Sequence, residues 1–195
     1  MHGHPAAVFP LRYLAHKACL TVDIGLLDVG LLSQHEDRGH RRALGHRRQP
    51  VHLQLANAVR AEFGDILLMG DANSAYTLAD IDLLKSLDEF GLMMLEQPLP
   101  YDDIVDHARL QREIKTPICL DEPIKSPDDA RKAIELGSGK IINLKNGRVG
   151  GHTQSRLIEQ TCREAGIPVW CGGMLESGIG RAHNIAISTL AGYTM

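Results

Sequence analysis

From residue 51 onward, hydrophobic and polar positions change period at regular intervals. "VHLQLANAVRAEFGD" places its apolar residues at helical spacing and is followed by the short apolar run "ILLMGDAN". "TLADIDLLKSLDEFG" is helical again, with Thr77 suited to the N-cap and Gly91 to the stop. "LMMLEQP" reads as a strand, "DIVDHARLQREIK" as a helix and "TPICLDEP" as a strand. "SPDDARKAIELGS" opens with Ser126 as N-cap and Pro127 at the first helical position. "KIINLKN" is a strand, "HTQSRLIEQTCREAG" a helix and "IPVWCGG" a strand. Strands and helices therefore alternate in about five clear βα units of about 25 residues each. This predicts the α/β class, with a parallel sheet covered by helices. Short units repeated without a glycine-rich nucleotide fingerprint favour a partial (β/α) TIM-type barrel over a doubly wound sheet.

The strand ends carry the chemistry. Asp71 ends the first of these strands, Glu96 the next and Asp121 the third, at spacings of 25 and 25 residues, and Lys145 ends the fourth, 24 residues further on. In a barrel, the carboxyl ends of neighbouring strands open on one mouth, where barrel active sites lie. A single acid there caps the helix that follows; three in succession, then a lysine, point to a shared pocket. Three close carboxylates raise each other's pKa values unless a cation offsets them. Hard oxygen ligands in that number suit magnesium. Magnesium beside a lysine suits removal of a proton next to a carboxylate, with the cation stabilising charge that develops on the enediolate oxygens. Arg148 stands three residues beyond Lys145, where like charge would favour a neutral lysine acting as base; contact with a helix end or solvent is the other reading.

The chain divides into residues 1–50 and residues 51–195. Six of the ten histidines and the densest arginine cluster, "RGHRRALGHRRQP", fall in the first part. Residues 11–34 hold enough apolar side chains for one helix. The basic stretch admits three readings: a nucleic-acid arm, a metal cluster of His35, His40 and His46, or a solvated linker. The linker is favoured, because the stretch lacks aromatics and a recognised ligand spacing.

Composition narrows the field further. A formal net charge of -3 exerts no overall pull toward nucleic acid or membrane, and no apolar run is long enough to span a bilayer. Cys19, Cys119, Cys162 and Cys171 form no C-x-x-C pair, so neither a disulfide framework nor a zinc knuckle is expected, and the expected location is a reducing cytoplasm. Cys162 and Cys171 read as core thiols, His152 and His183 as helix-surface or packing residues.

The segments "DANSAYT", "LEQPL", "CLDEP", "INLKNGRVGGHTQSR" and "PVWCGGMLESGIGRAHNIAIS" resemble the enolase superfamily. Within it they resemble the o-succinylbenzoate synthase / N-acylamino acid racemase group, over residues 53–190 or so. The resemblance implies Asp71, Glu96 and Asp121 as magnesium ligands and Lys145 as one of two acid/base lysines. It puts Asn73 and Glu122 beside the metal shell, and Gly172, Gly173 and Met174 in the lining of the substrate pocket. It implies a small-molecule carboxylate substrate and two reactions on one site. One is dehydration of a cyclohexadiene carboxylate to o-succinylbenzoate in menaquinone synthesis; the other is racemisation of N-acylated amino acids. The dehydration is favoured, and an inactive remnant of the family stays open as an alternative.

The resemblance also implies an N-terminal α+β capping domain and a K-x-K strand before the first metal ligand. "HKACLTVDIGLLDV" is similar to the helix that joins the two domains, and the capping domain is expected to be largely missing. An ungapped walk sets Leu44 and His46 at the two lysine positions, so the first barrel strand is expected to be absent. "GYTM" falls where the eighth strand begins. An unclosed sheet would expose edges and invite pairing with another chain, so a homo-oligomer is among the expected partners.

Overall fold

Among the described residues, six short strands form one sheet whose spatial order is the order of the chain. They are β1 (Cys19–Asp23), β2 (Leu67–Asp71), β3 (Met94–Glu96), β4 (Ile118–Leu120), β5 (Ile141–Leu144) and β6 (Val169–Cys171). Every neighbouring pair is parallel. Helix α1 (Val51–Phe63) precedes β2, and α2 (Ile81–Ser86), flanked by 3₁₀ turns at Leu78–Asp80 and Leu87–Phe90, links β2 to β3. The later crossovers are α3 (Val105–Glu113), α4 (Pro127–Leu136) and α5 (His152–Glu164), and α6 (Gly178–Ile187) follows β6. The computed structural model describes residues 19–23 and 51–195.

Sequential order matters because βαβ crossovers share one hand. A parallel sheet that never reverses direction therefore stacks its helices on one face. A doubly wound sheet would reverse at a switch point. The described strands show no reversal, so the winding is that of a partial (β/α) barrel.

The period-two alternation of each strand sorts side chains between the two faces. Leu68, Leu95, Ile118, Leu120, Ile142, Leu144 and Val169 belong to the large cluster shared with the helices. Met69, Met94, Cys119 and Ile141 form a second, small cluster, with Met93 and Trp170 packed against it. The second cluster is the inner face of the curled sheet. Asp71, Glu96, Asp121 and Asn143 each follow one of its members by two residues, so the same alternation sends them inward, above that apolar floor.

Local signals position the elements as their chemistry requires. Thr77 accepts a hydrogen bond from the Ala79 amide and forms a capping box with Asp80, and Gly91 ends the segment at φ 56°. Ser126 accepts from the Asp129 amide, with proline opening α4. At the far edge Tyr193 bridges in parallel to Val169, so the "GYTM" segment does start the next strand position.

Within the segment 11–34, the described residues 19–23 depart from the helical reading, and the rest of that reading lies outside the described residues. Cys19–Asp23 is a strand, aligned with β2 from Cys19↔Leu67 to Asp23↔Asp71. Apolar content alone does not separate a buried strand from a helix, and Thr21 and Val22 are β-branched residues that favour the extended chain. The place beside β2, expected to be empty, is held by this strand. The readings on residues 38–50, including Leu44 and His46, and on His35 lie outside the described residues. Among the described residues no helix is long and apolar enough to cross a membrane.

His107 on α3 is fully buried and satisfied at both ring nitrogens. Nδ1–H donates to the Asp103 carbonyl, and Nε2 accepts from the Leu99 amide at 3.2 Å. Burial holds its pKa below the usual 6.5, so the native state keeps the ring neutral while the unfolded chain takes up a proton. Its contribution to stability is therefore full at neutral pH and is lost as pH falls below 6.5. Chemical denaturation at pH 7 and pH 5 should show His107→Gln weaker at pH 7 yet flatter with pH than the parent; equal slopes would contradict this role.

Candidate active site

Asp71 and Glu96 stand level in the β2–β3 ladder, each at the last residue of its strand. Asp121 follows β4 directly, and Lys145 follows β5. The loops between them are stitched by backbone bonds: the amides of Ala72 and Ser74 donate to the carbonyls of Glu96 and Gln97 at 2.9 and 2.8 Å. Asn73 takes a left-handed conformation (φ 44°), and its amide donates to Asp71 Oδ1 at 3.0 Å. That turn holds the Asp71 carboxylate at the mouth.

Asp121 is the electrostatic centre. Its carboxylate is nearly buried and accepts from Lys145 Nζ at 2.6 Å and from Arg148 Nη1 at 2.5 Å. Arg148 thus reaches the site, where it shares Asp121 with the lysine. Glu96, only 3% exposed, is pushed up to about 8, first by burial, then by the charge of Asp71 and, more weakly, of Asp121. Glu122 is raised by the same two causes, burial and its neighbour Asp121, and its Oε2 is buried without a hydrogen-bond partner.

Among the described residues, no three His, Cys, Asp or Glu side chains stand close enough together to hold an ion as they are placed. The donor set nevertheless fits a hard divalent cation. Three carboxylates end successive strands on one face, and Glu96 is shifted upward first by burial and then by the neighbouring charge of Asp71, both of which a cation would offset. Asp71, Glu96 and Asp121 would hold it.

Two contributors carried no signal in the sequence. Gln97, 1% exposed, accepts from the Asp121 amide at 3.0 Å and donates to the carbonyls of Leu99 and Pro100, tying the end of β3 to β4. Asn143, 2% exposed, donates to Glu96 Oε1 at 2.7 Å. Both bonds join residues 24 and 47 positions apart, which no local pattern encodes.

The glycines expected in the pocket lining have different neighbours. Gly172 lies against Asn143 and Lys145, and a β-carbon there would sit 1.9 Å from Asn143 Oδ1. Gly173 makes room for Arg181, whose Nη2 donates to the Met174 carbonyl at 3.3 Å. Met174 itself is half-exposed at the rim, beside Gly147. Cys162 is buried with its thiol pushed up to about 12, and Cys171 is raised by burial, so neither is set up as a nucleophile. His152 and His183 contact each other at 2.7 Å between α5 and α6.

Because Glu96 titrates near 8 in the folded chain against 4.5 otherwise, the stability its protonated form contributes is full below pH 4.5 and is lost as pH rises to about 8. Without added metal, Glu96→Gln should therefore melt higher than the parent at pH 8, by roughly a few degrees, and match it near pH 4.5. Equal melting temperatures at both pH values would contradict the buried repulsion.

The chain is 56% identical over 165 residues to the o-succinylbenzoate synthase of Geobacillus stearothermophilus, covering 85% of this chain and 44% of that protein. It is 49% identical over 164 residues to the N-succinylamino acid racemase of Thermus thermophilus, covering 84% of this chain and 44% of that protein. It thus spans less than half the length of these curated relatives. Among solved structures, an enolase-superfamily protein of Listeria innocua superposes with a TM-score of 0.70 at 50% identity, over 73% of this chain and 38% of that one. The dipeptide epimerase of Enterococcus faecalis, at 24% identity and a TM-score of 0.75 over 90% of this chain and 46% of its own, shares the fold. The model of the enolase C-terminal domain-like family matches residues 38–194, and the chain belongs to that family, within the enolase superfamily.

Proposed function

We propose that this chain supplies the cation-binding, proton-abstracting mouth of an o-succinylbenzoate synthase. Membership of the superfamily implies a divalent metal; magnesium is our assignment, from an all-carboxylate donor set of Asp71, Glu96 and Asp121. When bound, the ion would supply Lewis-acid stabilisation for charge developing on a substrate carboxylate.

The chain's own residues divide the remaining work. Lys145 Nζ, which stands beside Asp121, removes the proton next to the substrate carboxylate. Arg148 keeps its hold on Asp121 and adds positive charge beside the lysine. Asn73 fixes the Asp71 carboxylate with its backbone amide, and the Gln97 side chain fixes the backbone amide of Asp121. Glu122 lies next to Asp121 with an oxygen that lacks a partner, and so is available to the assembled site. Gly172 gives room to Lys145, Gly173 to Arg181, and Met174 stands half-exposed beside them.

One observation favours dehydration over racemisation. The strand beside β2 reads Cys19-Leu20-Thr21-Val22-Asp23 and holds no lysine, so Lys145 is the one base that the described strand ends present. Racemisation takes a proton from one face of the carbon and returns it to the other, which calls for two groups. Dehydration can be carried by one group, which takes the α-proton and hands it to the hydroxyl that leaves the neighbouring carbon as water. The racemase is the second reading, supported by the Thermus relative at 49% identity.

The test is α-proton exchange in heavy water, followed by NMR on each enantiomer of an N-succinyl amino acid. The expected result is magnesium-dependent exchange of one enantiomer without racemisation, abolished in Lys145→Ala. No exchange in a folded, magnesium-saturated sample would overturn the proposal and leave an inactive member of the family.

A further inference from the structure

Asn143 is a buried polar side chain with one partner. Its Nδ2 donates to Glu96 Oε1 at 2.7 Å, while its Oδ1 is buried without any hydrogen-bond partner. A buried amide oxygen left unpaired bears its full desolvation cost. A leucine of similar size would pack here without that cost, so the amide needs another reason.

The geometry of the bond is unusual as well. Asn143 lies on β5 and Glu96 on β3, with β4 between them. On a flat sheet, strands two apart are separated by roughly 9.5 Å, beyond the reach of a direct bond between these two short side chains. Here the concave face brings them together across the small side chain of Cys119, which is fully buried on the intervening strand.

The neighbouring chain gives way to this arrangement. Gly172 leaves space that any other residue would fill, since its β-carbon would meet Asn143 Oδ1 at 1.9 Å, Asn143 Cγ at 2.8 Å and Lys145 Cγ at 2.8 Å. One glycine therefore seats both the amide that holds Glu96 and the lysine that reaches Asp121.

We infer that Asn143, seated against Gly172, is a positioning residue that holds the Glu96 carboxylate for one-oxygen ligation of a small divalent cation. The inference rests on the proposed cation site. A hydrogen bond on Oε1 fixes rotation of the carboxylate and disfavours two-oxygen ligation. Magnesium, small and octahedral, takes carboxylates through single oxygens, whereas calcium accepts two-oxygen ligation and looser shells. Partners of metal ligands typically hold about 10–100-fold in metal affinity.

Calorimetric titration of the folded chain with magnesium and with calcium tests the inference in the parent, Asn143→Leu, Gly172→Ala and Glu96→Gln. Leucine keeps the bulk of asparagine and so preserves packing. In Asn143→Leu we expect magnesium affinity to fall about 10–100-fold, calcium affinity to fall less, and Gly172→Ala to behave alike. A uniform loss of both ions would mark a merely structural role and overturn the inference. So would unchanged magnesium affinity in Asn143→Leu while Glu96→Gln loses binding, an outcome that leaves the proposed function standing. A folded parent that binds neither ion would sink the proposed function and the inference with it. Without metal, the Asn143 side-chain amide protons should exchange slowly with solvent in the parent and fast in Glu96→Leu; fast exchange in both would show that the bond does not hold Glu96.

Discussion

Burying negative charge at the ends of neighbouring strands is the constraint on which this structure turns. Asp71, Glu96 and Asp121 end three successive parallel strands on one face of the sheet, and Glu96 and Asp121 are each only 3% exposed. The chain answers that charge in three ways. Asp121 takes Lys145 and Arg148, Glu96 takes the Asn143 amide and an elevated pKa, and Asp71 takes the backbone amide of Asn73. Lys145 supplies Asp121 with positive charge in this structure, and under the proposed function the same lysine would serve as the base.

The fold makes this concentration of charge tolerable. Sequential parallel winding keeps the helices on one side and leaves the inner face to a small cluster of methionines, a cysteine and an isoleucine. Those side chains form an apolar floor, and the polar residues above it sit two positions further along each strand. Slipping any strand by one residue would exchange floor and mouth for the helix-facing layer, so the core packing that fixes register also fixes the site. Cys119 shows the coupling most directly: its small side chain lets strands β3 and β5 communicate across β4.

Much of this was legible in the sequence because it is written locally. The 25-residue spacing of Asp71, Glu96 and Asp121 follows from one βα unit per strand, and Thr77, Gly91, Ser126 and Pro127 mark helix ends through bonds within a few residues. Strand β1 was hidden because Cys19–Asp23 owes its conformation to the ladder with residues 67–71, not to its own apolar pattern. Gln97 and Asn143 were hidden for a related reason. A buried amide looks like any other polar residue until the fold brings its partner across the sheet. Gly172 was read as pocket lining, and its part in seating Asn143 and Lys145 could come only from the packing of β5 against β6.

We propose that the three strand-end carboxylates assemble around one divalent ion and that Lys145 then yields its place on Asp121. Anomalous diffraction from crystals of this chain grown with manganese, a hard cation with the same preference for oxygen ligands, tests it most directly. The account predicts one strong peak within bonding distance of carboxylate oxygens from Asp71, Glu96 and Asp121, with Lys145 Nζ moved off Asp121. A manganese-saturated crystal with no peak at that mouth and the Lys145–Asp121 bridge intact would contradict it.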